Sequence, residues 1–182
     1  MNIGAFLYTA TDIARPLVGE DIPQKGQYAF LEWLRDRERL FLQPKWRDGD
    51  NGFRKMLLNV QNAVSYLVDR KAFEAERKSV EDEGGTLPDE IPIHGAWFFL
   101  KNLRLEMALA EYLKQDGADR KRMKCRTILK RCGFQRRSDV FRDEFALAAA
   151  FYHIGLRPAG EDEPLLAIDD FSQDEHLFLI RL

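Results

Sequence analysis

Apolar residues recur at helical spacing through the first half of the chain. From Gln27 to Leu42 they fall on one side and charged residues cover the other, as in an amphipathic helix. From Phe53 to Leu67 they are spaced four and three residues apart, which predicts a second helix. Residues 1–24 hold two prolines and predict a short strand or turn with irregular chain. Residues 1–85 are therefore predicted to form a helical N-terminal region.

The second half begins after a connector and changes character near its end. Two prolines within residues 86–95 mark the connector. Ser138 is a suitable helix N-cap, and Gly155 and Pro158 are expected to end the helix that it begins. The predicted elements, in chain order, are helices over 96–112, 119–132 and 138–154, and strands over 165–168 and 177–180 that form a β-hairpin.

This order of elements predicts a mainly α fold. Three helices followed by a hairpin are typical of winged helix-turn-helix modules. Residues 96–182 are therefore predicted to be a winged-helix-like tri-helical unit with a β-hairpin. That unit would follow the helical N-terminal half, either as a separate region or around a core shared with it.

Composition narrows the class of protein. Hydrophobic residues make up 45% of the 182 residues, enough to offset chain entropy, so general disorder is excluded. The longest low-polarity stretch, Phe145 to Leu156, is too short to cross a bilayer. Met1 to Pro16 lacks the features of a signal peptide. We therefore expect a cytoplasmic protein without a membrane partner.

Charge is concentrated in one segment. The chain carries a formal net charge of -2, yet residues 120–142 carry +9 and all other residues together -11. Such segregation favours electrostatic steering towards a charged partner.

The basic segment is the candidate binding site for nucleic acid. On a helix and the turn after it, its side chains would lie opposite an apolar stripe and meet phosphates. About five such contacts predict a salt slope of magnitude near 4 to 5. The candidate residues are Arg120, Lys121, Arg122, Lys124, Arg126, Lys130, Arg131, Arg136, Arg137 and Arg142. The competing interpretation is an exposed face neutralised by the protein's own acidic residues.

Sequence-specific base readout is the weaker variant of this hypothesis. The helix after the turn carries outward aspartates and alanines, with few of the side chains that read base edges. Phe134 is the one aromatic residue evident beside the basic residues, and it is expected to be a buried plug at the turn. Contact with the phosphate backbone of DNA, recognition of RNA shape and docking onto a nucleoprotein component all remain open.

Catalytic and metal sites are not indicated. The loop with Asp48 and Asp50 resembles the start of a calcium loop, but Asn59 stands where a carboxylate is required. The C-terminal carboxylates have no lysine after Lys130 to complete a nuclease site. Neither a serine-nucleophile motif nor a phosphate-binding glycine loop occurs. We expect no enzyme activity, cofactor or metal, and two reduced cysteines.

A second hypothesis belongs to a different class. The apolar seam over residues 53–67, the many aromatic residues and the segregated charge are also typical of a helical adaptor that docks protein partners in a larger complex. We rank it below nucleic-acid binding.

Overall fold

The computed structural model describes residues 4, 6–82, 95–160 and 164–182. The chain divides into two compact units, Met1–Pro92 and Ile93–Leu182. The protein is mainly helical with a small three-stranded antiparallel sheet, which confirms the predicted class at that level. Residues 86–94 of the predicted connector lie outside the described residues. In the part of the chain that the structure describes, no helix is long and apolar enough to cross a bilayer.

The first unit contains a helix that the sequence did not predict. Helix α1 (Ala10–Gly19) begins at a capping box, in which the Thr9 hydroxyl accepts from the Asp12 amide and the Asp12 carboxylate accepts from the Thr9 amide. Pro16 lies inside the helix without ending it. The prediction of irregular chain was therefore wrong for residues 10–19.

The other two helices of the first unit differ from the prediction mainly in their ends. Helix α2 (Gln24–Arg37) is followed by a separate 3-10 turn instead of continuing to Leu42. Helix α3 (Gly49–Asp82) contains the predicted seam and extends beyond it. Of the seam residues, Val60 is fully buried, and helices α1 and α3 pack together.

The second unit begins with the helix that was predicted best. Helix α4 (Ala96–Tyr112) has the predicted bounds, and the side chains spaced along its apolar face are buried. The remaining elements are β1 (Arg120–Lys124), α5 (Cys125–Arg131), α6 (Asp139–Phe151), β2 (Ile154–Pro158) and β3 (His176–Arg181).

Residues 120–124 form a strand and not the first turns of a basic helix. Strand β1 pairs antiparallel with β3, so that Arg122 lies opposite Phe178 and Met123 opposite Leu177. The basic helix shrinks to α5, which starts at Cys125 immediately after the strand. The prediction failed because lysine and arginine favour helices. With only one apolar residue, Met123, the stretch also shows no alternation of apolar and polar positions that would indicate a strand.

The predicted hairpin is also wrong in its first strand. Strand β2 begins where the last helix was expected to end and includes both Gly155 and Pro158. Residues 165–168 contribute only a single bridge, from Leu166 to Leu156, and a 3-10 turn follows at Ile168–Asp170. Strand β3 matches the second predicted strand and lies in the middle of the sheet, in the order β1-β3-β2.

One face of the sheet belongs to the core of the second unit. We call it the inner face, and its side chains Met123, Leu156, Leu177 and Leu179 are all buried. Most residues on the predicted core faces of α5 and α6 are buried as well, including Phe141, Phe145 and both cysteines, whereas Phe151 is half-buried. Helix α6 contacts both α4 and β2. The opposite side of the sheet, the outer face, carries the alternate residues of each strand.

A buried arginine joins two of these elements. Arg104 of α4 donates from Nη1 to the backbone carbonyl of Tyr152 at 2.9 Å, at the end of α6. The next residue, His153, has a positive φ of 49°, and the chain then enters β2. Arg104 thus fixes the point where helix α6 turns into the sheet, which positions the strand beside the candidate site.

Candidate nucleic-acid interface

The outer face of the sheet brings several basic residues together. Because side chains alternate along a strand, Arg120, Arg122 and Lys124 of β1 share this face. Lys121 lies opposite Leu179, on the side of the inner face, although its own side chain is exposed. Arg157 of β2 lies directly across from Phe178 of β3, on the outer face too. The sheet therefore adds one basic residue, Arg157, to the predicted candidates.

Phe178 lies at the centre of this basic group. Arg122 faces it from β1 and Arg157 from β2, as direct cross-strand neighbours. The guanidinium carbon of Arg120 lies over the phenyl ring, 5.3 Å from its centroid. At exposed sites such a cation–π contact contributes about 0.5–1 kcal/mol. An aromatic ring with three neighbouring arginines is thus held on a half-open surface.

Helix α5 and the turn after it supply a second basic group. Arg126 and Lys130 are exposed and one helical turn apart, while the intervening Ile128 and Leu129 are buried. In the turn, Arg136 is exposed. Residues 131 and 137 complete the group, the first exposed and the second half-buried. Strand β1 runs directly into α5, so the two groups adjoin along the chain.

Ion pairing within the molecule removes only part of this charge. Arg126 pairs with Asp174 at 2.9 Å. Arg142 pairs with Asp139 at 2.8 Å and with Asp169 at 2.9 Å, so two carboxylates neutralise it. Among the residues that the structure describes, eight of the ten candidates lack a carboxylate partner. Six of these eight also make no side-chain hydrogen bond or ring contact with the described part of the chain, namely Lys121, Arg122, Lys124, Lys130, Arg131 and Arg136.

Two further candidates are engaged without carboxylates. Arg137 donates from Nη1 to the carbonyl of Ile168 at 3.2 Å, which ties the turn to the loop between β2 and β3. Arg120 stacks on Phe178. Arg137 is therefore engaged with the backbone, and Arg126 and Arg142 are engaged in ion pairs. The other basic side chains of the segment keep their charge available at the surface.

The outward side of α6 has a different chemistry. Ser138 caps the helix as predicted, accepting from the Phe141 amide at 3.2 Å. Val140 is 70% exposed and Leu147 is 64% exposed, with exposed Asp143 between them. This side thus presents apolar and acidic groups, and its chemistry is unsuited to a phosphate backbone.

Both cysteines are buried free thiols on the core side of α5. Burial raises the pKa of Cys132 to about 12, with a smaller contribution from the charge of Glu144. Burial also raises the pKa of Cys125. Both groups are therefore neutral near pH 7 and serve as small apolar core residues.

Phe178 and Arg157 are the residues that sequence reasoning missed. A signal for Phe178 was present in HLFLIR, residues 176–181, where buried leucines alternate with the outer residues. Arg157 had no such signal, because Gly155 and Pro158 beside it predict the end of a helix and not a strand. Phe134, predicted to be a buried plug, packs on Phe141 with 5.2 Å between ring centroids but is only half-buried.

The loop that resembled the start of a calcium loop is engaged in another way. Asp48 forms an ion pair with Arg39, whose hydrogen bond and charge lower the pKa of this carboxyl group. Asp50 begins α3. Across the described ranges, no group of three or more histidine, cysteine or carboxylate side chains is arranged to hold a metal ion.

Comparisons of the chain with protein-family models, with curated proteins and with solved structures give no match.

Proposed function

We propose that Ile93–Leu182 is a winged-helix unit and that the protein is a nonenzymatic nucleic-acid-binding protein. The unit would contact the phosphate backbone of DNA or RNA through strand β1, helix α5 and the turn at residues 132–138. The observation that carries the proposal is a set of six exposed or half-buried basic residues on these consecutive elements. Among the described residues, their side chains have no carboxylate partner, hydrogen bond or ring contact. Such side chains bind phosphates by charge and release condensed counterions.

The order of elements supports the winged-helix part of the proposal. Helix α4 is followed by strand β1, helices α5 and α6, strand β2, a long loop and strand β3. Strand β3 returns to the middle of the sheet between β1 and β2. In a winged helix-turn-helix module, α6 would occupy the position of the recognition helix, and the described residues 164–175 would lie in the wing.

The chemistry of α6 makes this unit an unusual member of that architecture. A recognition helix reads base edges with arginine, lysine, asparagine or glutamine. The outward side of α6 instead carries Val140, Asp143 and Leu147. We therefore assign contact to the elements before α6, and expect backbone binding with little base specificity.

A charge-removal variant with a matched control tests the proposal. The full-length variant Arg122→Gln, Lys130→Gln, Arg136→Gln removes one exposed base from each of the three elements. Because three phosphate contacts are lost, affinity for an oligonucleotide should fall at least about tenfold, and the salt slope should decrease by about 2 to 3. Fluorescence anisotropy over a salt series measures both.

The control removes the same charge from the first unit. Lys25, Arg54 and Lys55 are also exposed, so their joint replacement by glutamine changes net charge equally. The control should bind within about twofold of the wild type at equal salt, since nonspecific net charge is a weaker effect than direct phosphate contact. Equal losses in the two variants, or no loss in either, would contradict the proposed interface.

A second candidate function rests on one observation. Val140 and Leu147 are exposed and seven residues apart, so they lie on one side of α6 two turns from each other. Such a pair is typical of helices that dock a protein partner. The variant Val140→Ser, Leu147→Ser should retain nucleic-acid binding, and a loss of complex size in native cell extract would favour the adaptor function.

A further inference from the structure

We infer that the outer face of the sheet is a stacking platform for unpaired bases, so that the favoured ligand is single-stranded nucleic acid. The inference rests on the proposed function and specifies its substrate class. It starts from the position of Phe178, whose ring has Arg120 over it and Arg122 and Arg157 on the neighbouring strands.

The charge of this face selects a polyanion over a peptide. All residues of the three strands are described, and those on the outer face include four arginines or lysines and no carboxylate. A binding face for ordinary protein surfaces would mix both signs of charge. The outer-face residues are Arg120, Arg122 and Lys124 of β1, Gly155 and Arg157 of β2, and His176, Phe178 and Ile180 of β3.

The aromatic ring favours a single strand over a duplex as the ligand. In a duplex the flat faces of the bases are stacked on one another, so a phenyl ring on a sheet has little to contact. An unpaired base can stack on phenylalanine or on the plane of an arginine guanidinium. Arg120 and Phe178 offer both kinds of surface in one stack. Directly opposite side chains on a sheet are about 5 Å apart at Cβ, which places Arg122 and Arg157 within reach of the phosphates beside that base.

The chain itself covers the neighbouring part of the face. Gly155 shares the outer face with Phe178 and lies opposite Ile180. Leu165 packs closely over it: a Cβ at this position would be only 2.7 Å from Leu165 Cδ2. Leu182 Cδ1 would lie 3.4 Å from the same Cβ. These leucines close the apolar corner of the face, and the ligand surface is limited to Phe178 and the arginines around it.

The experiment compares a single strand with a duplex of the same length. Phe178→Leu keeps apolar cover on β3 but removes the ring, whereas Phe178→Trp keeps an aromatic surface. We expect Phe178→Leu to weaken binding of the single strand about tenfold and of the duplex less than about twofold. Phe178→Trp should bind the single strand as tightly as the wild type. Tyr66→Leu, which removes an exposed ring from α3, should leave both affinities unchanged.

The outcomes separate this inference from the proposed function. If Phe178→Leu binds single strands as the wild type does while the charge-removal variant loses affinity, the platform is wrong and the nucleic-acid interface stands. Equal weakening for single strand and duplex, or a preference of the wild type for duplex, also overturns the platform. A wild-type protein that binds neither ligand overturns both proposals. Circular dichroism confirms that each variant is folded before its affinity is compared.

Discussion

The two faces of the sheet in Ile93–Leu182 differ in almost every property. The inner face presents Met123, Leu156, Leu177 and Leu179, all removed from solvent. The outer face presents arginines around a half-buried phenylalanine. Both faces come from the same strands, in alternate residues. The unit therefore separates the groups that stabilise it from the groups that meet solvent, and variants of the two faces should affect different measurements.

The largest expected effect comes from the core on the inner side. Phe141 of α6 is fully buried and packs against Phe134 and Phe145. Phe141→Ala should lower the free energy of unfolding by about 3–5 kcal/mol, because it removes a large apolar group and leaves a cavity. Urea unfolding measures this loss. Arg122→Gln, on the outer face, should change the same quantity by less than about 0.5 kcal/mol, and a comparable loss there would break the distinction.

A smaller effect on the free energy of unfolding is expected when pH is raised, because of the buried Cys132 thiol. The pKa of Cys132 is about 12 in the folded protein, above the 9.0 of a free thiol. Between these values the unfolded chain loses the thiol proton and the folded chain keeps it, so stability is present below pH 9 and decreases as pH rises. From about pH 8 to about pH 10 the free energy of unfolding should fall by about 1–2 kcal/mol from this group.

Replacement of the same cysteine provides the control for the pH effect. Cys132→Ala removes the titrating group, so its stability should fall less steeply over the same pH interval than that of the wild type. Chemical denaturation at several pH values gives both slopes. Identical slopes would mean that the thiol is not protected from ionisation by the core.

The smallest effect is expected for a carboxylate beside the interface. Asp174 pairs with Arg126 and screens one base of α5. Asp174→Asn should raise affinity for nucleic acid about two- to threefold, because one more cation is free to meet a phosphate. Stability should change by less than about 0.5 kcal/mol, since both partners are exposed. Asp116→Asn removes an exposed carboxylate elsewhere in the unit and should raise affinity less.

Local signals were enough to predict most helices of the second unit. The bounds of α4 and the Ser138 cap of α6 follow from apolar spacing and from a side chain that satisfies a backbone amide. Strand β2 could not be found in this way. Glycine and proline usually end a helix, but in IGLRP, residues 154–158, they occupy an edge strand, where a missing side chain or amide is tolerated.

The candidate site was predictable in composition but not in shape. The ten bases were visible as a window of charge, whereas their division between a strand and a helix depends on pairing with residues more than fifty positions away. Phe178 became part of the site only through that pairing. Contacts at such distance are fixed by the tertiary fold, and no local propensity encodes them.

Strand β1 also bears on whether two molecules can pair through their sheets. Strand β2 has Leu166 bridged to its far side, but in the described part of the chain no strand or isolated bridge pairs with the far side of β1. Repulsion between its arginines and lysines opposes β-augmentation by a second molecule. A polyanion bound at the proposed interface would screen that repulsion, so its binding would favour pairing of β1 with a second molecule.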